Sequence, residues 1–550
     1  MSNIFNQGIL VQKTVGEVFW SDAIQRAEDE AHAKYLQTGV KQILSFPTDQ
    51  PMIINTTINK KSGVDWIGPA SILRNPDDNS GLWALVLADN QRDFLIQNIT
   101  FNNLQHAIAY TIKGNWHKKL RNCCIHLYLC SEFTVDTCRF SNYSEGIVRT
   151  GCNYYRISNN YLRSGVTNKS LEQFYDDTYE PIAGTQTGDI VGWVLSSDIP
   201  MIDYGGIIEG NKCLSEGLRI GIEVLTQSCN LTPSIITNNV VKGLHQGIKV
   251  YKGSYTDYSK GVTHIREVII SNNHISHCRE AGVYIRANHG VLVQANYITD
   301  CALFDPGDGT AFAGILTRVS AGTINGNLNT YLGNLVVDNV IVNVGKATGK
   351  IVAGKGIQVR TEYTKVANNK VVQSDPTLRG VGHGVLIGNG DTIYNALIEL
   401  NEIRGFSIGI AYLGGSTKEQ DRVEIRSNNI VDTTTLGIQL EGNSKNSKLL
   451  DNTISYGAAG IRIKKQQNTI VRGNIIEDLS GTAIILASGT YAGEVASPPT
   501  RTIPTNQIIN NIINRCMASH GVTETAPGDT TFAGRCKTWL GDIIDGTLLT

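Results

Sequence analysis

A short strand motif, Gly-Ile/Val-x-Ile/Val/Leu, recurs along much of this chain and limits the folds that it can adopt. The copies are GIEV, GIKV, GVYI, GIQV, GVLI, GIQL and GIRI, which begin at Gly221, Gly247, Gly282, Gly356, Gly384, Gly437 and Gly460. A second motif, Asn-x-Ile/Val, lies between the copies and often follows another Asn, as in residues 238–241 (NNVV). One pair of motifs spans roughly 20–30 residues, a period that is typical of stacked repeats.

The residue types within each repeat indicate which stacked architecture forms. Apolar residues alternate with others, which predicts strands that face a core on one side. Gly and Asn tolerate the left-handed backbone that sharp corners require. No helical pattern separates the strands, and the Leu-x-x-Leu-x-Leu frame of leucine-rich repeats is absent. The sequence therefore predicts an all-β fold, a right-handed single-stranded parallel β-helix, whose asparagines bond from coil to coil at one corner.

A single amphipathic helix is predicted ahead of the first coil. Ser21 and Asp22 have the chemistry of an N-cap, and Gly39 is suited to end the helix. The residues that recur at helical spacing between them are Ile24, Ala27, Ala31 and Tyr35. Such a helix can cover the apolar end of the first coil, which would otherwise be an exposed edge.

The remaining boundaries follow from where the repeat weakens. We expect a lead-in or attachment segment at 1–20, the capping α-helix at 21–40 and coils from 41 to 487. Long polar stretches predict inserted loops at 164–206, 252–264 and 302–331, and loops of this length are usually functional. Residues 488–550 lose the period and predict a C-terminal cap or oligomerisation segment.

Composition narrows the functional classes. The chain has 550 residues and a formal net charge of −1, so it offers no global attraction for nucleic acid or a membrane surface. Its start lacks the pattern of a signal peptide, and no apolar run is long enough for a membrane span. The 11 cysteines include no C-x-x-C pair, which predicts buried reduced thiols and synthesis in a reducing cytoplasm. We expect no metal site and no cofactor, because metal-ligand spacing is absent.

The repeat also predicts two rows of outward-facing side chains. The first row is Glu223, Lys249, Tyr284, Leu316 and Gln358, and the second is Leu225, Tyr251, Arg286, Arg318 and Arg360, with Glu362 two residues further on. Arg offers a planar fork for carboxylates, and Tyr offers a ring face and a hydroxyl. We therefore predict a polymer-binding face formed by Lys249, Tyr251, Tyr284, Arg286, His289, Arg318, Gln358 and Arg360. Stacked arginines repel one another, so Glu362, loop acids or a ligand must neutralise them.

Two chemistries are open for this face. Hydrolysis of a glycosidic bond needs two carboxylates that flank it, and we predict these among Glu223, Asp305, Asp308 and Glu362. Further acids are Asp257, and Asp189 and Asp203 from the long loop. Lyase chemistry needs a base and a cation on a uronate carboxylate. The candidate bases are Tyr284, His289 and Lys249, and the candidate cations are Arg286 and Arg318.

The chain's opening resembles the pectate-lyase superfamily. In that superfamily a helix reading D-A-I-Q-x-A leads into a strand that ends in Pro, and the matching stretches here are 22–27 (DAIQRA) and 44–47 (LSFP). The capping helix, the bare coils and the irregular loops together are similar to those of bacteriophage tailspikes and capsular-polysaccharide depolymerases. This second resemblance implies a virion tail protein, a homotrimer attached to other tail proteins.

The tailspike resemblance also implies an activity. It implies binding and internal cleavage of a bacterial capsular polysaccharide or of the O-antigen of lipopolysaccharide, and we expect glycoside hydrolysis. That family has no transferable catalytic motif, so no residue is assigned from it. Two alternatives remain. The first is a polysaccharide lyase or uronate epimerase of the pectate-lyase type. The second is a non-catalytic fibre or adhesin that only binds glycan.

Overall fold

The protein is described from a computed structural model, in which two compact units comprise Met1–Cys278 and Arg279–Thr550. The structure describes residues 8–76, 84–103, 123–164, 188–192, 203–215, 218–226, 232–252, 268–286, 290–303, 312–318, 333–347, 350–351, 353–388, 395–414, 420–487, 506–523, 538–540 and 542–548. Within each unit nearly all described residues lie in short parallel strands or in the corners between them. This arrangement confirms the predicted parallel β-helix.

The first unit contains one helix and 22 strands among its described residues. The helix is α1 (Trp20–Thr38), and the strands are β1 (Ile9–Leu10), β2 (Gln42–Ser45), β3 (Met52–Ile54), β4 (Ile58–Lys60), β5 (Val64–Arg74), β6 (Ala84–Asp89), β7 (Arg92–Asn102), β8 (Cys123–Tyr128), β9 (Ser131–Asp136), β10 (Arg139–Ser141), β11 (Glu145–Thr150), β12 (Arg156–Ser158), β13 (Tyr161–Arg163), β14 (Gly188–Gly192), β15 (Ile207–Glu209), β16 (Lys212–Cys213), β17 (Ile220–Thr226), β18 (Ser234–Thr237), β19 (Val240–Lys242), β20 (Gln246–Lys252), β21 (Val268–Ser271) and β22 (His274–Ser276).

The second unit contains 31 strands among its described residues. They are β23 (Ala281–Arg286), β24 (Val291–Gln294), β25 (Tyr297–Thr299), β26 (Ala313–Arg318), β27 (Leu335–Val337), β28 (Val340–Val342), β29 (Lys346–Ala347), β30 (Lys350–Ile351), β31 (Lys355–Arg360), β32 (Lys365–Ala367), β33 (Lys370–Val372), β34 (His383–Gly388), β35 (Ala396–Glu399), β36 (Glu402–Arg404), β37 (Ile408–Leu413), β38 (Gln420–Asp421), β39 (Val423–Arg426), β40 (Asn429–Val431), β41 (Leu436–Lys445), β42 (Lys448–Leu450), β43 (Thr453–Ser455), β44 (Ile461–Gln467), β45 (Ile470–Arg472), β46 (Ile475–Glu477), β47 (Thr482–Ala487), β48 (Gln507–Ile509), β49 (Ile512–Asn514), β50 (Ala518–Thr523), β51 (Thr538–Leu540), β52 (Ile543–Ile544) and β53 (Thr547–Leu548).

Two differences from the predicted boundaries concern individual strands. β14 forms inside the predicted loop 164–206 and pairs in parallel with β11 and β17. The coils also extend beyond residue 487, where the sequence predicts their end, because β48 and β49 pair with β45 and β46. The Asn-x-Ile motif returns in residues 506–513, after an interval that is rich in Pro and Thr. Among the described residues, no helix has the length and apolar character needed to cross a membrane.

The predicted N-cap of α1 is wrong. The N-cap residue is Phe19, which is extended and makes no side-chain capping bond. Ser21 and Asp22 lie within the first turn, and the Ser21 hydroxyl donates to Oδ1 of Asn55 at 2.8 Å. The Ser21 hydroxyl, which the sequence assigns to capping the helix, therefore bonds instead to Asn55, a residue distant in the chain.

The other end and the buried face of α1 agree with the sequence. Gly39 ends the helix with φ 67°, and its N–H donates to the carbonyl of Tyr35 at 2.8 Å. Ile24, Ala27 and Ala31 are buried, and the helix contacts β2, β3, β4 and β5. The helix thus covers the first coils of its unit, as predicted.

Asparagines at one corner form a continuous hydrogen-bonded ladder in each unit. In the second unit each ladder asparagine donates its backbone N–H to Oδ1 of the asparagine one coil on, through Asn296, Asn339, Asn369, Asn401, Asn428, Asn452, Asn474 and Asn511. In the first unit the ladder runs through Asn160, Asn211, Asn239 and Asn273. In five pairs of adjoining asparagines the first takes the left-handed conformation and the second is the ladder residue; these first residues are Asn159, Asn238, Asn272, Asn368 and Asn510. The doubled motif therefore combines a corner residue with a ladder residue.

Removing one ladder side chain is expected to destabilise the protein. Asn401 is buried and accepts two hydrogen bonds from Asn369, while its Nδ2 donates to Asn428 and to backbone carbonyls. Asn401→Ala leaves several of these buried groups without partners, each worth about 1–3 kcal/mol. We expect a total loss of about 3 kcal/mol or more in chemical denaturation. The control is Asn429, an exposed residue at the start of β40. Asn429→Ala should change stability by less than about 0.5 kcal/mol.

A second buried polar network occupies the first unit around Asp189. The Tyr143 hydroxyl donates to Oδ1 of Asp189 at 2.7 Å and lies 2.9 Å from Oγ of Ser215. Asp189 itself is fully buried in β14, and burial raises its pKa to about 7. This position makes Asp189 an interior residue of the β-helix, so its prediction as an acid arriving from a loop is wrong.

The raised pKa of Asp189 predicts a distinctive pH dependence of stability. The folded protein holds this proton up to about pH 7, whereas the unfolded chain releases it near the ordinary value of 3.8. The proton's contribution to stability is therefore complete at low pH and is lost as the pH rises to 7. Asp189→Asn cannot ionise, so its stability relative to the wild type should increase by about 4 kcal/mol from pH 4 to pH 8. A difference in unfolding free energy between the two proteins that stays constant from pH 4 to pH 8 would contradict the raised pKa of Asp189.

Candidate functional site

The candidate site lies on three neighbouring strands of the second unit, β23, β26 and β31. Their register places Tyr284 opposite Leu316, and Leu316 opposite Gln358. One step along, Arg318 is opposite Arg360. The register therefore aligns these residues across the three strands in the order that the sequence predicts.

The two rows differ in exposure. Tyr284, Leu316 and Gln358 are all buried, with relative exposures of 4%, 0% and 0%. Nε2 of Gln358 donates no hydrogen bond to a described residue, and its Oε1 accepts none from one. Arg318 and Arg360 retain partial exposure. The arginine row, rather than the row through Gln358, is thus the part of this face that solvent reaches.

Glu362 follows β31 at a corner that buried threonines hold. The Thr361 hydroxyl lies 2.8 Å from that of Thr317 and 2.7 Å from that of Thr364. The backbone N–H of Arg360 also donates to Oγ1 of Thr317 at 3.2 Å, which links the end of β31 to β26. This network fixes the backbone on both sides of Glu362, so the carboxyl projects from a rigid corner.

The electrostatics of Glu362 favour its protonated form. The side chain is half-buried, and burial raises the pKa of its carboxyl. Oε2 is enclosed and receives no hydrogen bond from any described residue. Nearby arginines do not offset the effect of burial, so Glu362 does not neutralise the arginine row, although the sequence allowed for that. A half-buried acid with a raised pKa holds its proton to a higher pH than an exposed carboxyl, which is the direction of shift that a general acid requires.

Tyr284 is bonded into the arginine row. Burial, followed by the charge of Glu280, raises the pKa of the Tyr284 hydroxyl. A hydrogen bond from Arg318 and the charge of Arg286 act in the opposite direction. Tyr284 therefore positions Arg318 and stays protonated at neutral pH.

Two charged residues near these strands were not predicted from the sequence. Glu280 stands two positions before Gly282, where the Gly-Val-Tyr-Ile motif begins, and its charge raises the pKa of Tyr284. Lys355 begins β31, and its Nζ lies 3.7 Å from the ring centroid of Phe312. Burial and then the Lys355 charge lower the pKa of His383 to about 4. Both charges stand at the edge of the repeat motif, where period-two alternation gives no signal.

In the first unit, Glu223 and Lys249 form a separate buried ion pair. They occupy opposite positions on β17 and β20, and Nζ of Lys249 lies 2.7 Å from Oε1 of Glu223. Tyr251 lies opposite Leu225, and the Lys249 ammonium is 5.2 Å from the centroid of its ring. Glu223 is fully buried and Lys249 is 7% exposed. An enclosed, paired carboxylate of this kind suits a structural role better than proton transfer to a polymer.

A buried arginine adjoins this pair. The Arg149 guanidinium donates to the backbone carbonyl of Glu223 and to the hydroxyl of Tyr155. Its Nη1 lies 3.7 Å from Oδ2 of Asp203, which is also buried. Asp203 accepts from the N–H of Cys152 at 3.0 Å. Asp203, a further acid that the sequence placed in the long loop, is therefore buried beside Arg149.

Several predicted site residues cannot be placed. Asp257, His289, Asp305 and Asp308 lie outside the described residues. Among the residues that are described, no group of three His, Cys, Asp or Glu side chains has the arrangement of a metal site.

Comparison with known proteins identifies the family. The family model of the right-handed beta helix region matches residues 257–403, 354–495 and 383–532, and the chain belongs to that family. No curated protein sequence matches the chain.

Solved structures with a similar fold come from several kinds of protein. PfbA, a surface adhesin of Streptococcus pneumoniae, is 14% identical over 87% of this chain and 91% of its own, with a TM-score of 0.43. The tailspike protein of E. coli bacteriophage HK620 in complex with pentasaccharide is 11% identical over 96% and 75%, with a TM-score of 0.42. The A-module of the mannuronan C-5 epimerase AlgE4 of Azotobacter vinelandii is 12% identical over 93% and 96%, with a TM-score of 0.26. These likenesses concern the fold alone.

Proposed function

We propose that this protein binds a bacterial surface polysaccharide, a capsule or an O-antigen, and cleaves within it by glycoside hydrolysis. The observation that carries the proposal is Glu362, a half-buried carboxyl with a raised pKa on a rigid corner that follows the partly exposed Arg360 by two residues. Glycoside hydrolysis needs one carboxyl that is protonated at working pH to donate to the leaving oxygen. Glu362 has the environment for that role.

The neighbouring charges support an acidic substrate. Arg318 and Arg360 occupy facing positions on adjacent strands, and Arg286 lies near Tyr284 on the next strand. Guanidinium groups at such spacing can each take a carboxylate of a repeating uronic or other acidic sugar. Hydrolysis also needs a second carboxylate. Among the described acids, Glu280 is the one whose charge acts on Tyr284, which makes it a candidate for the second carboxylate. Asp305 and Asp308 remain predictions for that carboxylate.

The direct test uses purified protein and a panel of bacterial capsular and O-antigen polysaccharides. Reducing ends and the ultraviolet absorbance of unsaturated uronates are followed together. New reducing ends without absorbance support hydrolysis, and a rise in both signals would instead establish a lyase. Binding with neither signal would show that the protein is a fibre or adhesin that only recognises glycan.

The lyase alternative depends on the hydrogen bond between Arg318 and Tyr284. In that chemistry Tyr284 would be the base, and Arg318 the cation that binds the uronate carboxylate. Burial opposes this chemistry, because it raises the pKa of Tyr284 and disfavours the phenolate. Lys249 is no better placed, because it is paired with Glu223. Hydrolysis through Glu362 therefore requires fewer unfavourable ionisations than lyase chemistry through Tyr284.

The proposal includes assembly as a homotrimer that is carried with other proteins on a virion tail. An apolar outward row in the first unit supports self-association, since Ile207, Ile235 and Ile269 lie opposite one another on β15, β18 and β21 and each is partly exposed. Light scattering at micromolar concentration should give the mass of three chains. Ile235→Lys, which places a charge in this row, should lower that mass, and a monomeric wild type would contradict the trimer.

A further inference from the structure

Two cysteines of the first unit, Cys130 and Cys152, stand one above the other on successive coils. Each follows the end of a strand, β8 or β11, at the same corner. The next residues, Ser131 and Asn153, form a parallel bridge, and the Asn153 N–H donates to the carbonyl of Cys130 at 3.0 Å. The backbone at the two cysteines is therefore locked at the spacing of adjacent parallel strands, about 4.8 Å.

Both cysteines are fully buried, so both thiols lie in the interior of the unit at this corner. The Cys130 sulfur lies 3.3 Å from the carbonyl of Tyr128, and the Cys152 sulfur lies 3.4 Å from that of Leu127. Disulfides form between residues whose Cα atoms are about 4.4–6.8 Å apart. This pair meets that requirement without a shift of the backbone.

Two other described cysteines of the unit, Cys123 and Cys213, have no cysteine opposite them. Cys123 lies opposite Ala84 and Glu145. Cys213 lies opposite Leu162 and Val241. The stacking of Cys130 and Cys152 is therefore not shared by Cys123 and Cys213.

We infer that Cys130 and Cys152 form an oxidisable dithiol, which a small peroxide converts to a disulfide that links two successive coils. In the first step the Cys130 sulfur attacks one peroxide oxygen, the O–O bond breaks, and a sulfenic acid and water form. In the second step the Cys152 sulfur attacks the Cys130 sulfur and displaces the hydroxyl as water. Overall, two thiols and one hydrogen peroxide give one disulfide and two waters.

The environments of the two thiols fit this order of events. The neighbouring Cys152 side chain lowers the pKa of Cys130, while burial raises the pKa of Cys152. The thiolate is the reactive form, so Cys130 is the nucleophile toward the peroxide and Cys152 is the resolving thiol. The resulting disulfide would resist separation of the two coils once the protein leaves a reducing compartment.

The test treats the native protein with hydrogen peroxide and then alkylates the remaining thiols under denaturing conditions. We expect the loss of two of the 11 thiols per chain, and a peptide map with one crosslink between Cys130 and Cys152. A thiol reductant should restore both thiols. The midpoint of thermal unfolding should rise on oxidation and fall again on reduction.

Variants separate this pair from general oxidation. Cys130→Ser and Cys152→Ser should each abolish the crosslink, whereas Cys138→Ser should retain it, because burial raises the pKa of Cys138 to about 12 and leaves it unreactive. The inference is overturned if the wild-type map lacks the crosslink while other thiols oxidise, or if the crosslink involves another cysteine. The wild-type map decides the matter even where a variant fails to fold.

Discussion

Glu362→Gln will reduce the release of reducing ends from a susceptible polysaccharide by about 10²–10⁴-fold, the usual contribution of a general acid. The amide keeps the size and polarity of the side chain but has no proton to donate. Polymer binding should remain almost unchanged, because the arginine row is intact. Initial rates and a binding isotherm on the same polysaccharide measure the two effects separately.

Glu441 provides a matched control on the same kind of outward position in the second unit. It lies opposite Lys464, whose Nζ is 2.5 Å from its Oε1. Although burial acts to raise it, hydrogen bonds from Lys464 and Gln439 lower the pKa of Glu441. Glu441 is therefore ionised at working pH and cannot act as an acid. Glu441→Gln should leave the rate within about twofold of the wild type, as expected for a change outside the reacting groups.

The pH profile gives a further check on Glu362. A general acid acts only while it is protonated, so the wild-type rate should fall as the pH rises past the raised pKa of this carboxyl. The residual activity of Glu362→Gln should lack that basic limb. Equal rates for the wild type and Glu362→Gln would remove Glu362 from the mechanism, even if another acid then proved to cleave the substrate.

Glu28→Ala is expected to cost about 3–5 kcal/mol of stability, the range for leaving a buried charge without its partner. Glu28 lies in α1, and its Oε1 is 2.9 Å from Nζ of Lys60, with both side chains fully buried. Its Oε2 also accepts from Nε1 of Trp66 at 2.5 Å. Burial lowers the pKa of Lys60, and Glu28 is the charge that most opposes this effect. Without Glu28, Lys60 keeps only backbone carbonyls as partners and loses its counter-charge, and the indole N–H loses its acceptor.

Chemical denaturation and hydrogen exchange in α1 measure this prediction. Glu30→Ala is the control, because Glu30 forms only an exposed pair with Lys34 on the same helix. That change should shift stability by less than about 0.5 kcal/mol. Replacing Glu28 and Lys60 together by Leu and Met should restore much of the loss, since no charge then remains buried. A small effect of Glu28→Ala would mean that the helix is not fastened to the first coils by this pair.

Periodicity was sufficient to predict the coils, because each repeat carries its own local instructions. Apolar alternation gives the strands, and the doubled Asn gives both a left-handed corner and the ladder. The register of Glu223 with Lys249, and of Arg318 with Arg360, also follows from counting along the motif. Glu28 could have been found in the same way, since it lies four residues after Ile24 on the apolar face of α1.

The candidate site was only partly predictable. The sequence named Glu362, but its raised pKa depends on how the corner around Thr361 encloses it. Glu280 escaped notice because it stands just outside the repeat motif. Glu223 and Gln358 were expected on a solvent-facing surface and are fully buried instead. The alternation of apolar residues along a strand predicts which face a side chain occupies, but it does not predict which other residues cover that face.

The sequence by itself determined the architecture of this protein: the parallel coils, their outward rows, the asparagine ladder and the capping helix. These features depend on residues that are close in the chain or repeated at a fixed interval. Tertiary structure alone decided the ionisation of Glu362, the burial of Asp189 and Asp203, and the pairing of Cys130 with Cys152. Each of these depends on partners from other coils, and burial among such partners, not the residue type, sets the charge and reactivity of a side chain.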